Sequence, residues 1–408
     1  MSFPFRLPLL LDGATGTNLI NAGMTVGTCT EKFILENPDI LVNLQRDFVS
    51  AGSDCILAPT FGANRAKLSD YDLQMNVSDI NCELVSISRS AVNNSVLIGG
   101  DMSPTGFFIE PFGEISFSEI LDIYKEQAAA LKNSGVNFIL CETMMSLWEC
   151  RAALIAAKET ELPVFVTVTI DDHGRTVSGS DVLSCLITLQ AMGADAFGIN
   201  CSQGPDAMLP FISLLRQHAK IPIIAKPNAG IPNPQSPSGY DLSPKEMASK
   251  IGLLLDAGAS IVGGCCGTTP EHIKELRAVV DSFRTPAAEP VEEDIVIAAN
   301  ETDTFFISEI AEISPPISCE IDMSDALIDI ADEGYDIILI NIATPDDAYH
   351  FGLNAHMAKL PVMFNAADAE SLDNALKFYQ GRALVDSKCD IDEESVRKIA
   401  EKYGAVIY

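Results

Sequence analysis

The chain has 408 residues, and its 57 acidic against 26 basic side chains leave a formal net charge of −31. Such a surface repels phosphate backbones and anionic lipid headgroups, which argues against nucleic acid and membrane partners. The apolar runs break well before the ~20 residues a membrane helix requires, and neither an export signal nor a disulfide framework is legible, so a cytoplasmic protein is expected.

In chain order, runs rich in Val, Ile, Leu and Phe recur at 8–12, 54–59, 96–101, 138–142, 164–170, 196–201, 221–226 and 260–264. Helical periodicity fills 37–51, 80–93, 117–134, 147–160, 180–192, 206–219 and 243–257 between them, with a closing helix at 270–283. Asn37-Pro38, Ser243-Pro244 and Thr269-Pro270 mark helix starts, since the first turn has N–H groups to spare and Pro lacks one. This alternation predicts a parallel (β/α)8 TIM barrel over residues 1–284. An acidic, proline-containing stretch at 285–302 reads as a linker. Strands at 304–307, 337–340, 361–364 and 383–385, with helices at 324–333, 371–379 and 393–403, then predict a smaller α/β domain over 303–408.

In a (β/α)8 barrel the functional groups gather where strands end. Asp12, Thr60, Asp101, Glu142, Cys201, Asn228 and the Cys265-Cys266 pair all fall at or just past predicted strand ends. Of the eleven cysteines, Cys55, Cys82, Cys150 and Cys185 read as buried small hydrophobes. Cys201 closes the run Gly198-Ile199-Asn200-Cys201, and Cys265-Cys266 sits between glycines in Gly263-Gly264-Cys265-Cys266-Gly267. The sixth and eighth strands stand two spacings of roughly 4.8 Å apart, so three thiolates could share one Zn2+ and leave its fourth position open. The alternative, on spacing alone, is three more buried small side chains. A substrate thiol at the open position would ionise, because coordination favours the thiolate. Thiol alkylation fits this donor set better than hydrolysis, whose zinc sites use His and carboxylate ligands; none of the five histidines lies at a strand end near the cysteines.

With these residues in view, the chain resembles the homocysteine S-methyltransferase family, and within it the N-terminal, homocysteine-binding module of cobalamin-dependent methionine synthases. The resemblance covers roughly residues 5–285. It rests on Leu11-Asp12-Gly13-Ala14-Thr15-Gly16-Thr17, Pro59-Thr60-Phe61-Gly62-Ala63-Asn64, Cys141-Glu142-Thr143, Gly198-Ile199-Asn200-Cys201, Lys226-Pro227-Asn228-Ala229-Gly230 and Gly263-Gly264-Cys265-Cys266-Gly267-Thr268, in that order. It implies that Cys201, Cys265 and Cys266 ligate zinc and activate the homocysteine thiol, and that Asn228 fills the fourth position in the absence of substrate. Asp12 and Glu142 would hold the substrate ammonium. The Gly13, Ala14 and Thr15 loop, with small residues and amides ahead of a helix, is suited to the carboxylate. Thr60 and Phe61 are placed with the substrate, Phe61 against its methylene chain, whereas Asp101 is read as support for the third strand.

The second domain is similar to the first half of the pterin-binding barrel that follows this module. Its strand ends depart from a folate site: Leu339 stands where an Asp would be sought, Asn341 remains, and 361–365 lacks an acidic end. Stability or docking of a separate corrinoid protein is therefore the expected role, and its open sheet edges suggest homodimerisation or packing on the barrel. There is no Asp-x-His-x-x-Gly segment to ligate cobalt, and His173 belongs to a turn. The expected donor is methylcobalamin on a partner protein; the alternative is a small onium compound such as S-methylmethionine, S-adenosylmethionine or a betaine. Two rivals remain: demethylation of another methylated amine or thioether, and a non-catalytic zinc or thiol sensor.

Overall fold

The computed structural model describes residues 3–93, 95–233, 235, 239–284, 295–308 and 310–408. Eight parallel strands form the first unit: β1 (Leu9–Leu10), β2 (Cys55–Leu57), β3 (Leu97–Met102), β4 (Phe138–Met144), β5 (Val164–Val168), β6 (Ala196–Cys201), β7 (Ile223–Pro227) and β8 (Ala259–Val262). They run in the order β1-β8-β7-β6-β5-β4-β3-β2. At the seam, Asp54 N–H donates to Leu10 C=O at 2.8 Å, and Leu10 N–H donates to the Asp54 carboxylate at 2.8 Å. The ring is thus the expected TIM barrel.

Period-two alternation explains why it closes around a solid core. Leu9, Leu11, Cys55, Leu57, Phe138, Leu140 and Phe165 pack inside the ring, while Leu10, Ile56, Ile139, Val164 and Val166 pack outward against the helices. Phe3 and Phe5 plug the bottom, Phe3 stacked 5.6 Å from Phe165. The outer helices follow the predicted ones within a few residues, from Pro38–Ala51 to Pro270–Ser282. Ser243 accepts from the Glu246 amide in a capping box, and Pro lies in the first turn at all three predicted starts. The short helices Gly16–Asn21, Thr30–Glu36 and Arg65–Ser69 were not expected; they share a small apolar core of Leu19, Ile34 and Leu68 and wall one side of the barrel mouth. Cys55, Cys150 and Cys185 are buried as expected, but Cys82 is exposed on the helix Val77–Ala91.

The second unit is the expected smaller α/β domain, with one strand placed differently. Five parallel strands, β11 (Ile317–Ser318), β12 (Ile338–Ile342), β13 (Val362–Ala366), β14 (Leu384–Val385) and β15 (Val406–Ile407), lie in chain order. The segment expected as the first of them, β10 (Thr304–Ile307), instead pairs antiparallel with β9 (Val296–Ala299). That hairpin falls partly within the stretch read as linker, whose residues 285–294 lie outside the described ones. Helices Ser324–Asp332, Pro345–Asn354, Ala369–Phe378 and Glu393–Tyr403 supply one core, with Leu327, Phe351, Leu372 and Val396 against the sheet. The hairpin supplies the other, packing Ala298 and Ile307 onto Ile337, Met363 and Leu384. Its outer side lies on the barrel helix Val182–Ala191. Both edge strands are two residues long, a length that blunts an edge.

The units meet over buried polar contacts as well. Arg151, fully buried on a barrel helix, donates to the carbonyls of Leu376 at 2.6 Å and Lys377 at 3.2 Å, at the C-terminal end of Ala369–Phe378. Ser180 donates to the Glu301 carboxylate at 2.7 Å. Among the described residues, no helix is long and apolar enough to cross a membrane.

Candidate active site

At the carboxyl ends of the barrel strands lies a cavity of about 510 Å3. Cys201, Cys265 and Cys266 all line it, and their Sγ atoms lie within 4.8 Å of one another. Strand register brings them together: Cys201 pairs with Pro227 in the β6–β7 ladder, and Cys265 N–H donates to Pro227 C=O at 2.8 Å from the other side. The chain leaves β6 through two consecutive left-handed residues, Cys201 at φ 57° and Ser202 at φ 47°. Each such residue costs on the order of 1–3 kcal/mol and persists where surroundings hold it. Here Ile170 N–H donates to Ser202 Oγ at 2.8 Å. On the β8 side Gly267, at φ 81°, allows the turn; a Cβ there would lie 2.2 Å from the Tyr240 ring.

Three sulfurs this close cannot carry three charges without a cation. Hydrogen bonds from Cys201 and then Cys265, with a further one from Tyr240, hold the Cys266 thiol down to about 3, while Cys201 is pushed up by Cys265 and Cys266. The donor set fits zinc: three soft sulfur ligands, partly buried, all on the cavity wall. Asn200 supports it, donating from Nδ2 to Thr143 Oγ1 at 2.7 Å and to Cys265 Sγ at 3.9 Å. Its Oδ1 accepts from Thr143 N–H and Thr167 Oγ1, both at 2.9 Å, which locks the amide's orientation. Asn228 is buried, and its Oδ1 has no partner among the described residues. It stands beside the triad through its backbone, its N–H donating to Gln203 C=O and the next N–H to Cys266 C=O, and its side chain is not on the cavity wall.

The same cavity is lined by a carboxylate cluster of Asp12, Asp101 and Glu142. Asp12 accepts from Leu57 N–H at 2.9 Å, and Glu142 makes a buried ion pair with Lys226 at 2.5 Å. Burial pushes Asp12 up to about 7 against the opposing charge of Lys226, and raises Glu142 likewise. For Lys226, burial pulls downward, but Glu142, Cys265, Asp101 and Asp12 together outweigh it and hold the ammonium charged. Gly13, Ala14, Thr15 and Phe61 line the cavity, Phe61 half-exposed. The Ala14 amide is already taken by Thr268 Oγ1 at 3.0 Å, and the helix that follows has only six residues, so this loop offers fewer free donors than expected.

Two expectations change. Thr60 does not line the cavity: fully buried, it donates to Asp101 C=O at 2.9 Å and accepts from Asp101 N–H at 3.0 Å, strapping β2 to β3. Asp101, read as strand support, does line it. Lys226, Asn200 and Tyr240 were given no role from sequence. A lysine inside Ile221-Pro222-Ile223-Ile224-Ala225-Lys226 was the available signal, since a charge in a strand buried on both sides demands a partner.

The profile of the homocysteine S-methyltransferase family matches residues 9–280. The methionine synthases of Mycobacterium tuberculosis and Mycobacterium leprae are each 32% identical, over 295 and 289 residues, or 67% and 66% of this chain. The chain spans about a quarter of their length, 25% and 24% respectively. Among solved structures, the metallated form of the homocysteine methyltransferase MmuM from Escherichia coli shares the fold, with a TM-score of 0.57 at 22% identity over 66% of this chain and 95% of its own.

Proposed function

Since this chain belongs to the homocysteine S-methyltransferase family, we propose that it transfers a methyl group to the thiol of homocysteine, with zinc held by Cys201, Cys265 and Cys266. The observation that carries this reading is one cavity lined by both a sulfur triad and a carboxylate cluster. An amino acid with a side-chain thiol presents partners for both, a thiol for the sulfurs' metal and an ammonium for the carboxylates. Zinc, when bound, supplies the acidity that makes a coordinating thiol a thiolate at neutral pH. Asp12 and Glu142 hold the ammonium, the charge of Lys226 opposes the rise that burial imposes on Glu142, and the Gly13–Thr15 loop faces the carboxylate. Phe61 covers the methylene chain. The thiol proton leaves, the sulfur forms a bond to the methyl carbon, and the carbon's bond to the donor breaks with its electron pair.

For the donor we infer methylcobalamin on a separate corrinoid protein. Exposed apolar side chains on loops after β3, β5 and β7, among them Phe108, Phe112, Val177 and Ile231, give the mouth face a surface suited to a protein-borne donor. Phe61 and Tyr71 on the cavity wall favour a second reading, in which a small onium donor enters against aromatic faces.

The test incubates the zinc-loaded chain with homocysteine and, separately, a methylcobalamin-loaded corrinoid protein, S-methylmethionine, S-adenosylmethionine and glycine betaine, with methionine read by mass spectrometry. Methionine from the corrinoid protein supports the first donor, and methionine from an onium compound the second. Homocysteine bound without turnover from any donor would favour a sensor. Cys265→Ala is expected to lose both bound zinc and methionine formation; full activity in that variant would sink the mechanism.

A further inference from the structure

One buried hydroxyl locks the loop after β1 to the turn that carries Cys265 and Cys266. Thr268 is fully buried, and its Oγ1 accepts from Ala14 N–H at 3.0 Å and donates to Cys265 C=O at 2.7 Å. Two glycines make room for it: a Cβ at Gly264 would lie 2.3 Å from that oxygen, and one at Gly13 2.9 Å from it. Asn18 adds a second tie, its Nδ2 donating to Ala14 C=O at 2.6 Å and to Thr268 C=O at 2.8 Å. The cysteine turn does not need the hydroxyl in order to close, because Thr268 N–H already donates to Cys265 C=O at 3.2 Å. Nor do the two segments need it to stay adjacent, since Gly264 N–H donates to Asp12 C=O at 3.0 Å and Gly267 N–H to Thr17 Oγ1 at 3.2 Å. What the hydroxyl adds is a fixed link from Ala14 to Cys265, both on the cavity wall, made from a residue behind that wall.

On the homocysteine reading above, on which this rests, the substrate spans these two segments, its sulfur at the metal held by the turn and its carboxylate at the Gly13–Thr15 loop. We propose that Thr268, supported by Asn18, is a positioning residue that fixes this span and so sets the length of thiol amino acid the cavity takes. A rigid span fits one number of methylenes. Cysteine, one methylene shorter, then reaches one segment and leaves the groups of the other without their partner. With the link cut, the loop is free to follow the shorter substrate, and the penalty on it falls.

Isothermal titration of the zinc-loaded full chain with homocysteine and with cysteine tests this, with zinc content measured on the same samples. The native protein is expected to bind cysteine at least ~10-fold more weakly, the lower end of what one missing methylene is worth in a fitted pocket. Thr268→Val replaces the hydroxyl by a methyl of similar size. It should keep its zinc, because the main chain still closes the turn, yet shrink the preference for homocysteine by about 3- to 10-fold, the scale of one hydrogen bond. Thr268→Ser keeps the hydroxyl and should restore the preference. Asn18→Ala removes the other tie without touching the buried threonine; it should shrink the preference in the same direction, and it decides the matter if the valine variant does not fold. Equal native affinity for both compounds would overturn the proposal. So would a valine variant with its preference unchanged, since a merely structural role weakens both ligands alike. A native protein that binds neither compound would overturn the homocysteine reading itself.

Discussion

Asp12 shows how one buried side chain couples stability to occupancy. It is 1% exposed, and burial lifts it from 3.8 to about 7 while Lys226 pulls the other way. A carboxyl raised on folding binds its proton more tightly in the native state, so its contribution is complete below the unfolded value and is lost as pH rises through about 7. The substrate-free protein should therefore lose stability as pH rises from about 4 to about 7, and Asp12→Asn should flatten that loss. Homocysteine affinity should run oppositely, strengthening as Asp12 ionises and can meet an ammonium. Thermal melts across pH on both proteins, with and without homocysteine, read the two trends; parallel curves for native and variant would remove Asp12 from the account. Residues of this kind were half legible. Asp12, Asp101 and Glu142 stood at predicted strand ends, where polarity is conspicuous, but Lys226 drew no role, and only the closed barrel brings it within range of all three carboxylates.

At the scale of elements, the barrel was readable because each strand announces itself by an apolar run and each helix by period and cap. The hairpin was not. Val296–Ala299 lies inside the acidic, proline-containing stretch that reads as linker, and Thr304–Ile307 has the same composition as a parallel strand. What decides the pairing is the contact of Ala298 and Ile307 with Ile337, Met363 and Leu384, which is set by distant chain. Helix Ala369–Phe378 illustrates a similar dependence. Its last carbonyls are satisfied by Arg151, which lies on a different unit and also stands over the rings of Phe117 and Tyr403 at 5.9 and 5.7 Å. The cation therefore sits at the negative end of the helix dipole. Arg151→Met keeps much of the volume but removes the donors, and should cost about 1–3 kcal/mol through the buried carbonyls it leaves unpaired. Hydrogen exchange should show protection lost first at the C-terminal turn of Ala369–Phe378. Loss confined to the barrel helix carrying residue 151 would contradict this role.

For the whole molecule, two opposed terms decide how it unfolds. A net charge of −31 pushes every part of the surface away from every other part. Against that, the β9–β10 hairpin is shared: one side completes the second sheet's core, and the other lies on the barrel helix Val182–Ala191. Arg151, Glu301 and Ser180 add buried polar contacts that neither unit satisfies alone. Separating the units would expose the hairpin's apolar side and orphan these groups at once, so the second unit has little to gain by melting first. Calorimetry should accordingly give a single transition whose van't Hoff and calorimetric enthalpies agree. Salt should raise its midpoint, because at ~0.1 M the screening length is about 10 Å and the long-range repulsion fades while the buried contacts do not. Two resolved transitions that draw further apart with added salt would mean that the hairpin belongs energetically to the second sheet alone. A single transition that shifts upward with salt means that the barrel carrying the cavity and the sheet behind it fold as one body.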